Sequence, residues 1–324
     1  MEYSKKTIGV LTSGGDAPGM NAAVRAVVRA AKFKGHTVLG IKRGYQGLIN
    51  GDMEEMELRS VSNIIQRGGT ILYTARCPEF RTEAGMQKAV AVCKERGIDG
   101  LIVIGGDGSY KGARDLSNLG IPCIGVPGTI DNDIASSEYT IGFDTAVNTV
   151  VENVDRLRDT SQSHDRCSVV EVMGRHAGHI ALHAAIACGA IAVLIPEREY
   201  NLDTDIVERM KQTILTGKQH FIVILAEGVG DSEGICRYIE EKTGFESRLT
   251  VLGHIQRGGT PTAKERVFAS VMGYRAVELL EQGIGNRVVG IQNSRTVDFD
   301  INDALAMHKD IDHYLYKVAY EISI

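Results

Sequence analysis

The 324-residue sequence has no tryptophan, and aromatic residues make up only 6% of it. It also lacks a basic excess: 41 acidic residues stand against 36 Lys and Arg, for a net charge of −5. Modules that stack bases on rings or track phosphates with a positive surface are therefore disfavoured. The six cysteines, at 77, 93, 123, 167, 188 and 236, never fall in C-x-x-C spacing, which argues against zinc and dithiol frames. Most lie in apolar segments and read as buried thiols in a reducing compartment. No apolar run approaches the ~20 residues needed to span a bilayer. The first residues, Met1 to Lys6, are too polar for a secretory leader. The expectation is a cytoplasmic protein with small-molecule partners, and neither nucleic acid nor membrane among them.

Glycine is what the chain has in excess, 37 residues, and the glycines cluster after short apolar runs. Strand-like runs at 7–12, 37–41, 101–104, 122–126, 168–172, 192–195, 221–226, 248–252 and 288–291 alternate with helical patterns, so the class is α/β with largely parallel sheets. The length suggests two domains at roughly 150 residues each. Asn21 is the expected cap of the first helix. Residues 43–48 read as a glycine-flanked loop, and 61–67 as a short helix ended by Gly68.

Three glycine-rich loops end apolar strands: 13–20, 105–109 and 127–133. The unit from Leu101 to Asp133 is strand, loop, helix, strand, loop. Parallel strands put both its loops, with Asp107 and Asp131, at one sheet edge, where α/β proteins bind ligands. Backbone amides and helix N-termini there favour phosphate oxygens. The loops match neither G-x-G-x-x-G nor G-x-x-x-x-G-K-[ST], which argues against a dinucleotide fold or a P-loop. A carboxylate among phosphates calls for Mg²⁺, which binds one or two carboxylates plus substrate oxygens. Arg76, Arg166, Arg175, Arg248 and Arg257 offer planar forks suited to phosphate. Asp131 and Asp133, two apart, share a side if the backbone is extended. An ionised Asp131 can take a proton from an attacking hydroxyl, worth about 10²–10⁴-fold in rate.

Two echoes stand out. Gly-Gly-Asp recurs at 14–16 and 105–107, and Ile-Gln-Arg-Gly-Gly-Thr at 65–70 and 255–260. Arg25, Arg29 and Lys32 form a basic stripe at helical spacing, either a solvated face or an anion site.

GVLTSGGDAPGMN (9–21), ARCPEF (75–80), VIGGDGSY (103–110), GVPGTIDND (125–133), EVMGRHAG (171–178), AEGVG (226–230) and VLGHIQRGG (251–259) together resemble the bacterial ATP-dependent 6-phosphofructokinases over essentially the whole chain. The resemblance implies transfer of the ATP γ-phosphoryl group to the 1-hydroxyl of fructose 6-phosphate, the committed step of glycolysis, with Mg²⁺. Gly15, Tyr45, Arg76, Cys77, Gly106, Asp107, Gly108 and Ser109 match nucleotide positions, and Asp107 the metal residue. Asp131 matches the general base, supported by Thr129, Arg175 and Asp133. The sugar-phosphate positions are Thr129, Ile130, Asp131, Arg166, Met173, Gly174, Arg175, Glu227, Arg248, His254, Ile255, Gln256 and Arg257. Arg166 and Arg248 match residues that reach a neighbouring subunit's substrate, which implies a homotetramer. The implied fold has two Rossmann-like domains. The nucleotide-binding domain comprises 1–140 and 256–324, and the inserted sugar-phosphate domain 141–255.

The family also carries an effector site for ADP or phosphoenolpyruvate, matched by Arg25, Arg29, Arg158 and Lys218. Ile191 stands where the family usually has Glu, Thr216 where it has Lys, and Leu58 where some members have Arg. Weakened or altered ADP activation is expected. Two other readings remain. A pyrophosphate-dependent phosphofructokinase would usually carry Asp at position 108 and Lys at 128, and both are Gly here. A non-catalytic nucleotide sensor is opposed by the intact Asp107, Asp131 and Arg175.

Overall fold

The computed structural model describes residues 4–323. The chain opens on β1 (Thr7–Thr12), whose residues 8–12 are buried on both faces. After a loop, α1 (Met20–Phe33) buries Val24, Val27, Val28 and Ala31. Then come β2 (Thr37–Ile41), α2 (Gly44–Asn50) and β3 (Met53–Glu55). Next are α3 (Glu83–Glu95), the fully buried β4 (Gly100–Gly105), α4 (Asp107–Asn118), β5 (Cys123–Thr129) and the two-residue β6 (Ile141–Gly142). The chain continues through α5 (Phe143–Ser163), β7 (Cys167–Val172), α6 (His179–Cys188), β8 (Ala192–Leu194), α7 (Glu208–Ile214), β9 (Phe221–Ala226), α8 (Ser232–Thr243) and β10 (Ser247–Val251). It ends with α9 (Ala263–Glu281), β11 (Arg287–Gln292), β12 (Arg295–Asp300), α10 (Ile301–Ala306) and α11 (His313–Glu321).

These elements form two compact units. The first holds the chain up to Thr129, Ile134–Thr145 and Arg257–Lys309. Its sheet runs β12-β11-β5-β4-β1-β2-β3, with β6 beside β5. The inner pairs are parallel, and Thr12 lies opposite Ile104 and Gly105 opposite Pro127, so the strand ends and their loops share one edge. Helices α1 and α9 pack so closely that a Cβ on Gly273 would lie 2.8 Å from the Ala23 carbonyl oxygen. The second unit holds Ile130–Asp133, Ala146–Gln256 and the chain from Asp310 on, around a parallel sheet β10-β7-β9-β8.

Several local expectations are corrected. Residues 44–50 form a helix, entered through Arg43 (φ 58°) and left through Gly51 (φ 68°), both left-handed. Residues 61–67 form turns, since Asn63 has φ 56° and breaks the helical path. Gly19 (φ 100°) takes the cap position of α1, and Asn21 is not its cap. A π-helical turn, Asp203–Val207, precedes α7. Both edge strands of the large sheet, β3 and β12, are antiparallel to their neighbours. The residues from Asp310 on lie in the second unit, because α11 packs on α6 and β8. They were expected with the first domain.

Five of the six cysteines are buried, and burial pushes the Cys93 and Cys167 thiols up to about 12. Among the described residues, no helix is long and apolar enough to cross a membrane.

Candidate functional site

In the first unit, three strand ends build the loops. Ser13 N donates to Ile104 O at 2.9 Å, which locks the loop after β1 onto the end of β4. A Cβ on Gly105 would lie 2.4 Å from Ser13 O and from Ser109 Oγ, so this turn tolerates no side chain. Helix α4 then starts at Asp107, preceded by Gly106. Thr129, at the end of β5, faces Gly106, with its Cβ 3.9 Å from where a Gly106 Cβ would stand. Asp107 and Gly108 are exposed, and a Cβ on Gly108 would meet no atom within 4 Å. The predicted Gly15, Gly106, Asp107, Gly108, Ser109 and Thr129 thus share one sheet edge.

The loop at 13–21 is held from below by the segment 67–74. Asn21 Nδ2 donates to Arg67 O and Gly68 O, each at 3.1 Å, and Asn21 Oδ1 accepts from Ile71 N at 2.8 Å. Thr12 Oγ1 meets Thr70 Oγ1 at 2.8 Å and donates to Tyr73 O. Thr74 Oγ1 donates to Gly14 O at 2.6 Å.

Tyr45 is buried and holds the loop from beneath. Its hydroxyl donates to Ser109 O at 2.5 Å, and its ring stacks on Phe80 with centroids 4.0 Å apart. Burial pushes its hydroxyl well above the usual tyrosine range. Arg76 is exposed, and Cys77 is half-buried against the core. Arg257 also belongs to this unit. A Cβ on Gly15 would lie 2.4 Å from Arg257 Nη1, and Arg257 Nε is buried with no hydrogen-bond partner among the described residues. The guanidinium therefore stands at the 13–20 loop with donor capacity to spare.

The second unit carries the other predicted residues. Chain and sheet break after Thr129: Ile130 and Asp131 form a turn, and Asn132 has φ 52°. The extended backbone assumed for Asp131 and Asp133 is absent, so the period-two argument for their sharing a side fails. After β7, Gly174 (φ 144°) and Arg175 (φ 58°) make a strained turn that leaves Arg175 exposed. Glu227 Oε1 accepts from Gly174 N at 3.2 Å and Arg175 N at 2.6 Å, so this carboxylate shapes the arginine turn. Gln256, fully buried, accepts from Met173 N at 3.2 Å, while His254 and Ile255 beside it are exposed. Arg166 donates through Nε to Glu246 at 2.8 Å, and Arg248 pairs with the same carboxylate. The hydrogen bond from Arg166 leads in holding the Glu246 carboxyl below its ordinary value, with Arg248 adding to it.

Of the candidate effector residues, Arg158 and Lys218 come together in the second unit. Burial, then the charge of Arg158, lowers the Lys218 ammonium, and His220 is lowered the same way. Arg158 donates to the Cys188 carbonyl. In the first unit, Arg25 is half-buried and Arg29 exposed, while Lys32 is engaged by Glu55 at 3.1 Å and Glu57 at 2.7 Å.

No cluster of three or more His, Cys, Asp or Glu able to hold a metal occurs among the described residues. The exposed Asp107 at a helix start, next to open space at Gly108, fits the other way Mg²⁺ is held: one carboxylate, the remaining ligands coming from phosphate and water.

The phosphofructokinase family model matches residues 7–280. The chain belongs to the phosphofructokinase family. An ATP-dependent 6-phosphofructokinase of Clostridium botulinum strain Hall is 59% identical over 318 residues, covering 98% of this chain and 99% of that one. Among solved structures, phosphofructokinase from Saccharomyces cerevisiae matches with a TM-score of 0.87 at 34% identity over 93% of this chain. This chain spans 45% of that yeast chain. A pyrophosphate-dependent phosphofructokinase from Marinobacter aquaeolei gives 0.86 at 21% identity, covering 95% of this chain and 86% of that one. It shares the fold, so the fold alone does not select the phosphoryl donor.

For a phosphofructokinase, the sequence reading missed the supports. Asn21, Thr74, Glu246 and Glu265 bond across 46 to 123 positions, and no local pattern points to such partners. The one available signal was chemical: a Glu in the first turn of an otherwise apolar-faced helix, Ala263–Glu281.

Proposed function

We propose that the chain transfers the γ-phosphoryl group of MgATP to the 1-hydroxyl of fructose 6-phosphate, giving fructose 1,6-bisphosphate and ADP. The observation that carries this reading is the small-residue sheet edge of the first unit. Gly105 packs there against Ser13 O and Ser109 Oγ with no room for a side chain, next to the open space at Gly108. A nucleotide triphosphate needs close backbone approach, and an acidic side chain at 108 would fill the room and add repulsion. The 59% identical relative is named for ATP, which agrees with that choice.

In this reading the amides at 106–109 and the start of α4 receive phosphate oxygens. Asp107 would hold the Mg²⁺, which supplies charge neutralisation on the phosphates. Asp131 takes the proton of the 1-hydroxyl as it attacks, with Asp133 assisting, and Thr129 and Arg175 steady the phosphoryl group in flight. Glu227, bonded to the amides of Gly174 and Arg175, fixes the turn that presents Arg175. Arg166 and Arg248, both drawn to Glu246, form a paired anion receptor for the 6-phosphate of a neighbouring subunit in a homotetramer. Catalysis is positioning and electrostatics with one base, as phosphoryl transfer requires.

The Arg158 guanidinium beside the Lys218 ammonium supports an effector anion site. Ile191 is buried in the apolar core of the second unit and brings no carboxylate for an effector's metal. Activation by ADP is therefore weak in this reading. Fructose 6-phosphate saturation with and without ADP tests it, and strong ordinary activation removes it.

The reaction itself is tested by a coupled assay with ATP and pyrophosphate side by side. Faster turnover with pyrophosphate reverses the donor assignment. In parallel, Asp131→Ser is expected to lower kcat by about 10²–10⁴-fold while substrate binding persists. Near-normal turnover removes Asp131 as the base.

A further inference from the structure

Glu265 is a fully buried carboxylate with no part in the scheme above. It lies in the first turn of α9, after the cap Thr262, whose Oγ1 accepts from Glu265 N at 3.1 Å. Glu265 Oε1 accepts from Gly142 N at 2.7 Å. Its Oε2 accepts from Thr145 N at 3.1 Å and Thr145 Oγ1 at 3.0 Å. Thr145 Oγ1 in turn accepts from Thr262 N at 3.2 Å, which closes a ring between α9 and the start of α5. On the α1 side, a Cβ on Gly19 would lie 2.8 Å from Glu265 Cγ, so the loop after β1 leans on the same side chain.

The strand this carboxylate grips is β6, which pairs with the end of β5: Gly128 pairs with Ile141 and Thr129 with Gly142. Just before β6, Thr140 Oγ1 donates to the Thr129 carbonyl at 2.6 Å. A path of direct contacts thus runs from Glu265 through Gly142 and Thr140 to Thr129. We infer that Glu265 is a positioning residue for the phosphoryl transfer, its carboxylate holding β6 so that Thr129 stands at the right place on the site edge. The catalytic half of this inference rests on the function proposed above; the mechanical half does not.

Both carboxylate oxygens are needed as acceptors. An amide replaces one of them with a donor, so whichever way it is rotated either Gly142 N or Thr145 N is left buried without an acceptor, and a protonated carboxyl weakens one oxygen as an acceptor and adds a donor. The surroundings bear on its ionisation. Burial pushes the Glu265 carboxyl up to about 7, and the amides of Gly142 and Thr145 pull against that, as does the Tyr139 hydroxyl. Asp144 on α5 accepts from Thr262 Oγ1 at 2.6 Å and pairs with Lys264 on α9 at 3.4 Å.

The test compares the full-length wild type with Glu265→Gln and Thr140→Val. Hydrogen exchange is followed in the free proteins at residues 126–129 and 140–145, and kcat, KM and the pH profile are measured with ATP and fructose 6-phosphate. In Glu265→Gln, exchange at Thr129 and Gly142 is expected to quicken. Its kcat should fall by ~10-fold or more, since small misplacements at the reacting centre are costly. KM for MgATP should stay near wild type. The wild-type kcat should fall as pH drops through about 7, and this limb should be missing from the glutamine variant. Thr140→Val cuts the last link without touching the buried carboxylate, and should quicken exchange at Thr129 and lower kcat in the same direction. Unchanged exchange at Thr129 in Glu265→Gln overturns the inference, and so does an unchanged kcat. If that variant does not fold, Thr140→Val decides, and wild-type exchange and kcat in it overturn the inference. Exchange needs no substrate, so a wild type inactive on fructose 6-phosphate would fail the proposed function and leave the clamp to be judged on exchange alone.

Discussion

Gly68 and Gly259 meet backbone to backbone: a Cβ on Gly68 would lie 2.4 Å from the Gly259 carbonyl oxygen and 3.2 Å from its amide nitrogen. These are the fourth and fifth residues of the two Ile-Gln-Arg-Gly-Gly-Thr segments. The duplicated hexapeptide is thus a contact, and it lies behind the loop carrying Gly15, since Asn21 bonds to Gly68 O and Arg257 reaches Gly15.

Gly68→Ala is expected to lower stability by about 1–3 kcal/mol, the usual cost of overpacking a site whose neighbour is rigid backbone. Gly69→Ala separates sterics from conformation. Nothing lies within 4 Å of its Cβ, but its φ is +64°. It should cost on the order of 1 kcal/mol from the left-handed backbone alone. Denaturant midpoints of the two variants check the ranking, and a Gly68→Ala midpoint above that of Gly69→Ala would reject the steric account.

How much of this was legible depended on how local the determinants were. The strands at 7–12, 100–105 and 123–129 are buried on both faces and read directly as apolar runs ended by glycine. The helix expected after a loop at 105–109 starts earlier, at Asp107. Helix 44–50 was hidden because its entry residue, Arg43, sits in a left-handed conformation that sequence does not advertise. The helix expected at 61–67 had the apolar spacing of Val61, Ile64 and Ile65, and Asn63 at φ 56° overrode it. Asn21 looked like a cap, yet Gly19 holds that position and frees the amide for Arg67, Gly68 and Ile71. Within the site, residue types were legible and their supports were not, since Glu246 meets Arg166 across 80 positions.

Gly15→Ala makes a second prediction of the opposite kind. Its Cβ would meet the far end of a flexible side chain, Arg257 Nη1, at 2.4 Å. The guanidinium can swing away, so the fold should barely notice. What is lost is the placement of a cation with a spare donor beside the 13–20 loop. Thermal stability should stay close to wild type while kcat/KM falls by roughly 10–10²-fold, the worth of one to two charge-assisted hydrogen bonds. Steady-state kinetics and a melting curve on the same sample check both halves. A large loss of stability with unchanged kinetics would show that Gly15 is needed for packing alone.

Gly108 and Gly128 were paired in the sequence reading as marks of an ATP donor, but the structure separates them. Gly108 opens on space empty within 4 Å, whereas a Cβ on Gly128 would press on Met20 Cε at 3.0 Å, Ile104 Cγ2 at 3.1 Å and Gly105 N at 3.3 Å. Gly108→Asp should therefore fold normally and lower kcat/KM for MgATP, by about 10-fold or more if the added charge faces a phosphate at an effective dielectric near 20. Gly128→Lys should lose stability before it says anything about the donor. Expression, melting temperature and ATP kinetics of the two variants distinguish these fates. An unstable Gly108→Asp would contradict the open-space reading.

The buried Glu265 also predicts how stability depends on pH. Its carboxyl titrates near 4.5 when unfolded and is raised by burial to about 7 in the fold. The folded state therefore holds a proton that the unfolded state has released. Stability from this group is complete below pH ~4.5, declines as pH rises, and is lost above ~7. The full swing is at most about 3 kcal/mol. Glu265→Gln has no such titration. Its stability relative to wild type should thus increase between pH 5 and pH 8, even as its turnover falls. Urea unfolding of both proteins at four or five pH values measures the difference. A stability gap that is flat across this window, or that moves the other way, would mean that Glu265 is ionised without penalty and that its hydrogen bonds outweigh its burial.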